Sequence, residues 1–475
     1  MNLFPVPDFG AAWRWASIAP SVLAATYAPP GMTAQLASAR SDNLIRYARA
    51  HSSFYAKRLR HLPEHVRLDD VPVVDRAELM AHFDQWVTDP AIKLTDVTAF
   101  IADPERCGAP FLDRYAVWTS SGTTGVPGIY LSDPQALTVY EALLTLRAAG
   151  ASGAPSLWRT LLAGGRMAMI AAREGHFAGI AAWERAQRQH PWLQMRCRSF
   201  SVTDPTAQLV AALNAWQPSL LASYPSMLSV LGDERESGRL TIEPAALWSG
   251  GEELVSTERT RLERIFGCRL HEEYAASECM NIAFSCEAGT LHLHADWVVL
   301  EPVDERGRLL PPGQPSAGVL LTNLCNRVQP LIRYQLGDSV TMMSEPCACG
   351  CALPGLRVEG RRDDVLRLAT GSGATISIVP LAIESVLEDR AGIHQYQLRQ
   401  IAPDALSIRL MPPGLLTHAQ ACQLAERCLR EFLAAHGARA IQISFETDPP
   451  VADPVSGKLH KVQGLPHPKR RRASR

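Results

Sequence analysis

The chain has 475 residues, more than one compact core accommodates, so two or more domains are expected, and 47 % hydrophobic residues supply their interiors. Lys plus Arg number 47 against 48 Asp plus Glu, which leaves no basic field for nucleic acid; the run Lys469 to Arg472 reads as a solvated tail. Its 11 cysteines are too sparse for a disulfide framework and several lie in apolar stretches, which points to a reducing, cytoplasmic setting.

At the amino terminus the apolar stretch from Ala11 to Ala28 is broken by Arg14 and Pro20 and lacks a positively charged start, so neither a signal peptide nor a membrane partner is expected. Residues from about 34 to 100 read as short helices with breaks such as Leu62-Pro63-Glu64. From Tyr115 onward β-rich segments alternate with amphipathic helices: Ala207 to Trp216 is helical, and Ser219 to Tyr224 is a buried strand. His292 to Val303 and Ala317 to Asn323 are β-like around two turn-rich segments, which predicts a small antiparallel or barrel-like unit. Beyond Gly360 the pattern changes to a helix Pro380 to Leu387, a hairpin around Pro403-Asp404, a helix His418 to His436 ended by Gly437, and a strand Ala440 to Phe445. The expected fold is α/β: a large domain of helix-covered sheets with a β-rich subdomain (residues 1–360), then a small α+β unit (361–475).

The sharpest local signal is Thr119-Ser120-Ser121-Gly122-Thr123-Thr124-Gly125-Val126-Pro127-Gly128, which follows the β-like Tyr115 to Trp118. Glycines and small hydroxyl residues let backbone N–H groups approach an anion, and the hydroxyls add donors. It is not a Walker loop, since that spacing and its lysine are absent; taken alone, a Ser/Gly connector reads equally well.

The order Ser-Ser-Gly-Thr-Thr-Gly-x-Pro resembles the phosphate-binding signature of the adenylate-forming superfamily, which includes acyl-CoA and aryl-CoA synthetases. Five further segments resemble that superfamily in the same order. Ser249-Gly250-Gly251-Glu252 is similar to its adenine-side turn. Tyr274-Ala275-Ala276-Ser277-Glu278 is similar to the segment whose aromatic ring packs near adenine and whose Glu holds Mg²⁺. Ile332-Arg333-Tyr334-Gln335-Leu336-Gly337-Asp338 is similar to the segment whose Asp accepts from both ribose hydroxyls, a task that suits a carboxylate. Gly360-Arg361-Arg362-Asp363-Asp364 is similar to the hinge, with Asp363 the pivot of a mobile lid and Arg361 beside the nucleotide. Near the end, Ser456-Gly457-Lys458 is similar to the motif whose lysine reaches the α-phosphate; Lys461 is the alternative if the register is displaced.

Within the superfamily the chain most resembles the phenylacetate-CoA ligase branch and its capsule-biosynthesis-type relatives, through the loop, the Ile-Arg-Tyr form and Cys347-Ala348-Cys349-Gly350. The resemblance implies activation of a small carboxylic acid with ATP and Mg²⁺. Transfer follows to a thiol, either CoA or the phosphopantetheine arm of an acyl carrier protein; a homodimer stays open. Lys458, Glu278 and Thr123 would be catalytic. Cys286, His292, Cys347 and Cys349 would hold a structural Zn²⁺, with Cys351, His294 and Cys279 as competing ligands. Two departures stand out. Val126 and Gly128 occupy the places where relatives carry a loop lysine, and Arg173 to Gly179 replaces an aromatic, glycine-rich substrate segment, so phenylacetate itself is not expected. Ser223-Tyr224-Pro225 and Ala275-Ala276 are expected along the acid pocket. A nucleotide-binding scaffold without turnover is the rival reading.

Overall fold

The computed structural model describes residues 9–120, 128–148, 164–173, 175–359, 365–370, 375–413, 416–451 and 460–465, together with positions 160 and 162. Its amino-terminal part is helical. Phe9–Thr26 is a helix with Pro20 inside it, and Pro30–His51 follows as one 22-residue helix rather than the short pieces expected from residue 34. No Gly or Pro interrupts 33–51, and Ala37, Leu44, Ile45 and Ala48 recur at helical spacing on its buried face. Short helices Ser53–Arg58, Arg76–Ala81, Phe83–Trp86 and Leu94–Ile101 complete the preamble. Among the described residues, no helix is long and apolar enough to cross a membrane.

These helices are fastened to the body by a buried charge cluster. Arg147 Nη1 donates to Asp296 Oδ1 at 2.6 Å, with both side chains fully buried. The same guanidinium donates from Nε to Thr26 Oγ1 (2.8 Å) and from Nη2 to the Val22 carbonyl (3.1 Å), and Arg40 Nη1 lies 3.3 Å from Asp296 Oδ2.

Strands β1 (Ala116–Thr119) and β2 (Ile129–Ser132) form an antiparallel hairpin. Strands β3 (Met167–Ala171), β4 (Cys197–Ser201), β5 (Leu220–Ser223), β6 (Ala246–Gly250) and β7 (Arg269–Ala276) are parallel, in the spatial order 4-3-5-6-7. Antiparallel β8 (Cys279–Ser285) and β9 (Leu291–Leu293) extend the same sheet. Helices Ala178–Gln189, Thr206–Trp216, Pro225–Glu236 and Ser256–Phe266 connect the parallel strands. Gly267, in the left-handed conformation at φ 66°, ends the last of them.

Next come β10 (Val298–Val303), β11 (Gly318–Asn323) and β12 (Leu331–Leu336), a three-stranded antiparallel sheet. Here the sequence expectation needs correcting, because His292 to Val303 is not one β segment. Its first part is β9, inside the large sheet, and the chain turns at 294–297, where Asp296 is drawn to Arg147 and the Trp297 N–H bonds the His294 carbonyl at 2.8 Å. β13 (Ser339–Met342) and β14 (Gly355–Glu359) return to the large sheet, making nine strands.

The carboxy-terminal unit has a hairpin, β15 (Leu366–Ala369) with β16 (Thr375–Ile378). It also has a four-stranded sheet of β17 (Tyr396–Ala402), β18 (Ala405–Leu410), β19 (Gln442–Glu446) and β20 (Val462–Gln463). Its long helix His418–Ala435 opens with a Thr417/Gln420 capping box and buries Ala421, Ala425, Cys428, Leu429, Phe432 and Leu433 on one face. Helix Pro380–Glu384 runs on as a wider turn, Ser385–Arg390. One apolar cluster runs from Ile170, Leu221 and Leu247 of the large sheet to Leu366, Leu398 and Phe432. Arg367 adds an ion pair at 3.2 Å to Asp233 of the helix Pro225–Glu236. Gly360 to Asp364, the expected boundary and hinge, lie outside the described residues.

Candidate active site

The carboxyl ends of β5, β6 and β7 open into a cavity of about 1510 Å³, the edge at which open α/β sheets bind ligands. Each segment arrives by a different route. Ser120 closes the β1–β2 hairpin: its N–H donates to the Gly128 carbonyl (2.9 Å), and its Oγ accepts from the Gly128 N–H (3.1 Å). The bonds pin both ends of the loop whose Ser121, Gly122, Thr123, Thr124 and Gly125 lie outside the described residues. Gly250, Gly251 and Glu252 line the cavity at the end of β6, and Tyr274, Ala275, Ser277 and Glu278 line it at the β7–β8 turn. Asp338 enters from the β12–β13 turn.

Hydrogen bonds tie these segments together. Trp118 Nε1 donates to the Ser277 carbonyl at 2.6 Å, and Ser277 Oγ donates to the Thr119 carbonyl at 3.4 Å, so the hairpin and the β7–β8 turn are one assembly. Tyr274 donates its hydroxyl to Asp338 Oδ2 at 2.9 Å, which orients the carboxylate. Glu278, 5 % exposed, accepts at Oε1 from the hydroxyls of Tyr130 (2.7 Å) and Tyr334 (2.8 Å), and Arg76 Nη2 lies 3.3 Å from the same oxygen. Burial, and then the charge of Glu278, pushes both phenols above their ordinary range, which keeps them protonated donors.

Two glycines are required by these contacts. A Cβ on Gly128 would fall 2.6 Å from the Tyr130 ring and hydroxyl, so a side chain there would displace the donor to Glu278. Gly251 has φ +84°, and a Cβ there would press within 3.2 Å of the Tyr224 ring.

Sequence reasoning missed Arg76. It sits at the first position of the helix Arg76–Ala81, on the cavity wall beside Glu278. Only a lone Arg after the capping residue Asp75 marks it in the sequence. Glu252 also differs in part from expectation: it lines the cavity, but its carboxylate accepts from Ser226 N and Oγ, both at 2.9 Å, at the start of the helix Pro225–Glu236. Ser223, Tyr224, Pro225, Ala275 and Ala276 all line the cavity. Of Arg173 to Gly179, Ala178 and Gly179 do so among the described residues. Arg361 and Lys458 lie outside them. The alternative lysine is removed: Lys461 is buried, ion-paired with Glu388 inside the carboxy-terminal unit and 5.2 Å from the Tyr396 ring.

A second cluster stands where β8, β9 and the β13–β14 connection meet. Ligand atoms of Cys286, His292, Cys347 and Cys349 all lie within 4.8 Å of one another. Cys286 Sγ is 3.7 Å from Cys347 Sγ, and Cys349 Sγ is 3.3 Å from His292 Nε2. His292 Nδ1 is 2.8 Å from the Leu353 carbonyl, a bond that turns Nε2 toward the thiols, and the Cys351 N–H donates to Cys349 Sγ at 3.3 Å. Three sulfurs and one imidazole converging in this way fit a tetrahedral Zn²⁺. Two competitors point elsewhere: Cys279 donates to the Asn281 carbonyl (3.7 Å), and His294 Nδ1 is 3.3 Å from Arg147.

No family model matches this chain. Over 141 residues, 29 % of its own length and 29 % of that protein's, it is 26 % identical to Protein CapK of Staphylococcus aureus. Its structure is similar to 2-hydroxyisobutyryl-CoA ligase in complex with 2-HIB-AMP and CoA in the thioesterification state, with 19 % identity, 93 % of this chain and 91 % of that chain covered, and TM-score 0.56. Against the postadenylation state with 2-HIB-AMP the values are 20 %, 97 %, 94 % and 0.53. The chain therefore shares the fold of that ligase along nearly its whole length.

Proposed function

We propose that this chain is an ATP-dependent acid–thiol ligase that works through an acyl-adenylate. One observation carries the reading: Ser120, the Gly250-Gly251 turn, Tyr274 to Glu278 and Asp338, far apart in sequence, line a single cavity at the carboxyl ends of parallel strands. The similarity in fold to a ligase solved with an acyl-AMP and CoA supports it.

In this reading the triphosphate lies against the Ser120 to Gly125 turn, and Asp338, oriented by Tyr274, accepts from the ribose hydroxyls. Glu278 would hold Mg²⁺, which supplies charge neutralisation on the phosphates; Tyr130 and Tyr334 steady its carboxylate, and Arg76 adds the cation missing from the loop. The acid's carboxylate oxygen attacks the α-phosphorus in line, the bond to the bridging oxygen breaks, and pyrophosphate leaves. Lys458, carried by the carboxy-terminal unit, would meet the charge developing at the α-phosphate, with Thr123 donating from the loop. Leu465, seven residues beyond Lys458 in the chain, lines the cavity. Rotation about Asp363 would then withdraw Lys458 and admit the thiol of CoA, or of a carrier protein, to the acyl carbon, releasing AMP. The zinc cluster takes no part in the chemistry.

Carboxylate-dependent exchange of labelled pyrophosphate into ATP tests the first half-reaction. The ligase reading predicts exchange with at least one small acid, and CoA or a phosphopantetheinylated carrier protein then captures the acyl group. ATP binding with no exchange across a broad panel of aromatic and aliphatic acids would leave the scaffold reading. Lys458→Ala is expected to slow adenylation about a hundredfold or more while leaving thiolation of supplied acyl-adenylate largely intact; normal adenylation by that variant would remove Lys458 from the mechanism.

A further inference from the structure

Two consecutive glutamates of β7 line the cavity, and they are treated differently. Glu272 is ion-paired with Arg259. Glu273 has no such partner among the described residues: its carboxylate accepts from the Asn281 amide, itself only 5 % exposed, and from the Trp248 indole. Those two bonds leave carboxylate lone pairs for a third donor. Space for that donor is built in. Gly250 is the register partner of Glu273 across β6 and β7, so the position beside it carries no side chain. A Cβ at Gly250 would come within 3.0 Å of the Glu273 carbonyl oxygen. Ala275, two residues along the same face of β7, is also small and also lines the cavity, as does Trp248.

A half-buried carboxylate with no cation beside it among the described residues is unfavourable, because two neutral donors replace only part of its hydration. Burial accordingly pushes the Glu273 carboxyl up to about 7. A positive ligand group would supply the missing charge.

We propose that Glu273, with Trp248 and Asn281, is the specificity-determining group of the acid pocket, and that it selects carboxylic acids bearing a protonated amine. The inference rests on the ligase reading in one respect, that this cavity receives the acid. The acid's carboxylate is consumed at the α-phosphate, whereas its ammonium group stays unreacted against Glu273. Glu273 is then a recognition residue and transfers no proton.

The experiment uses the full chain and matched trios of small acids of equal length, in which one terminal position is a methyl, a hydroxyl or an ammonium group. Pyrophosphate exchange gives kcat/KM for each, and calorimetric titration of the same acids into the protein with a non-hydrolysable ATP analogue gives affinity without turnover. The ammonium member is expected to exceed its methyl isostere by roughly a hundredfold in kcat/KM. Glu273→Gln, which keeps the shape and removes the charge, is expected to collapse that ratio to near unity. Exchange that favours methyl or hydroxyl acids, or a ratio unchanged in Glu273→Gln, overturns the proposal and leaves the ligase reading standing. If no acid supports exchange, the ligase reading falls, and the titrations decide the pocket alone: an ammonium preference lost in Glu273→Gln upholds it, and equal affinities across each trio overturn it.

Discussion

At the scale of single residues, charge placement decides most of what this site can do. Glu278 is surrounded by two phenol donors and one guanidinium, all on the same carboxylate oxygen or within 3.3 Å of it. In our reading Arg76 stands in for the absent loop lysine. Arg76→Ala is therefore expected to raise KM for ATP about tenfold or more, and Arg76→Lys to recover part of the loss. Initial-rate kinetics of pyrophosphate exchange would settle it, and an unchanged KM for ATP in Arg76→Ala would make the Glu278 contact purely structural. Arg76 also marks a limit of sequence reading. Its distance from Glu278 in the chain, 202 positions, hides a contact that only the folded sheet creates. Glu273 was hidden differently: it directly precedes the Tyr274 motif, yet a carboxylate on an ordinary strand carries no mark of whether a cation faces it.

Among elements, the cysteine–histidine cluster and the buried Arg147–Asp296 pair each add a polar link between parts that also share the apolar core. The cluster links β8 and β9 to the connection that leads into β14, the last described strand before the expected hinge. Purified protein is expected to carry one zinc per chain; Cys347→Ser with Cys349→Ser should lose it and lower Tm, by metal analysis and thermal unfolding. Stoichiometric zinc surviving that double change would refute the ligand set. Asp296→Ala would strand Arg147 in a fully buried position and is expected to cost about 3–5 kcal/mol in chemical denaturation. A loss under about 1 kcal/mol would mean that water reaches the site. The cluster's spacing was readable because Cys and His are rare and chemically marked. The salt bridge was not, because Arg and Asp occur throughout the chain.

Over the whole molecule, the cavity is walled by both units: Tyr274 and Asp338 from the large one, Arg367, Leu381 and Gln400 from the small one. Their one interfacial ion pair named above, Arg367 with Asp233, is 42 % and 35 % exposed, so its contribution is at most about 1 kcal/mol and it is no lock. The lid reading predicts that fluorescence transfer between a dye on the helix Ala178–Gln189 and one on the helix His418–Ala435 resolves two distances. One should be favoured with ATP and acid, the other after a thiol acceptor is added. A single distance under every condition would exclude rotation.

By itself, the sequence determined the fold class, the order of the cavity-lining segments and the carboxy-terminal helix and hairpin. Glycine-rich turns, capping residues and periodic apolar faces are local features that act over a few residues. It also determined the four candidate zinc ligands. Only the tertiary structure decided which charges meet: Arg76 with Glu278, Arg147 with Asp296, Lys461 with Glu388, and Glu273 with no cation among the described residues. Those pairings depend on Coulombic contact between residues far apart in the chain, and nothing in the local pattern of either partner records the other.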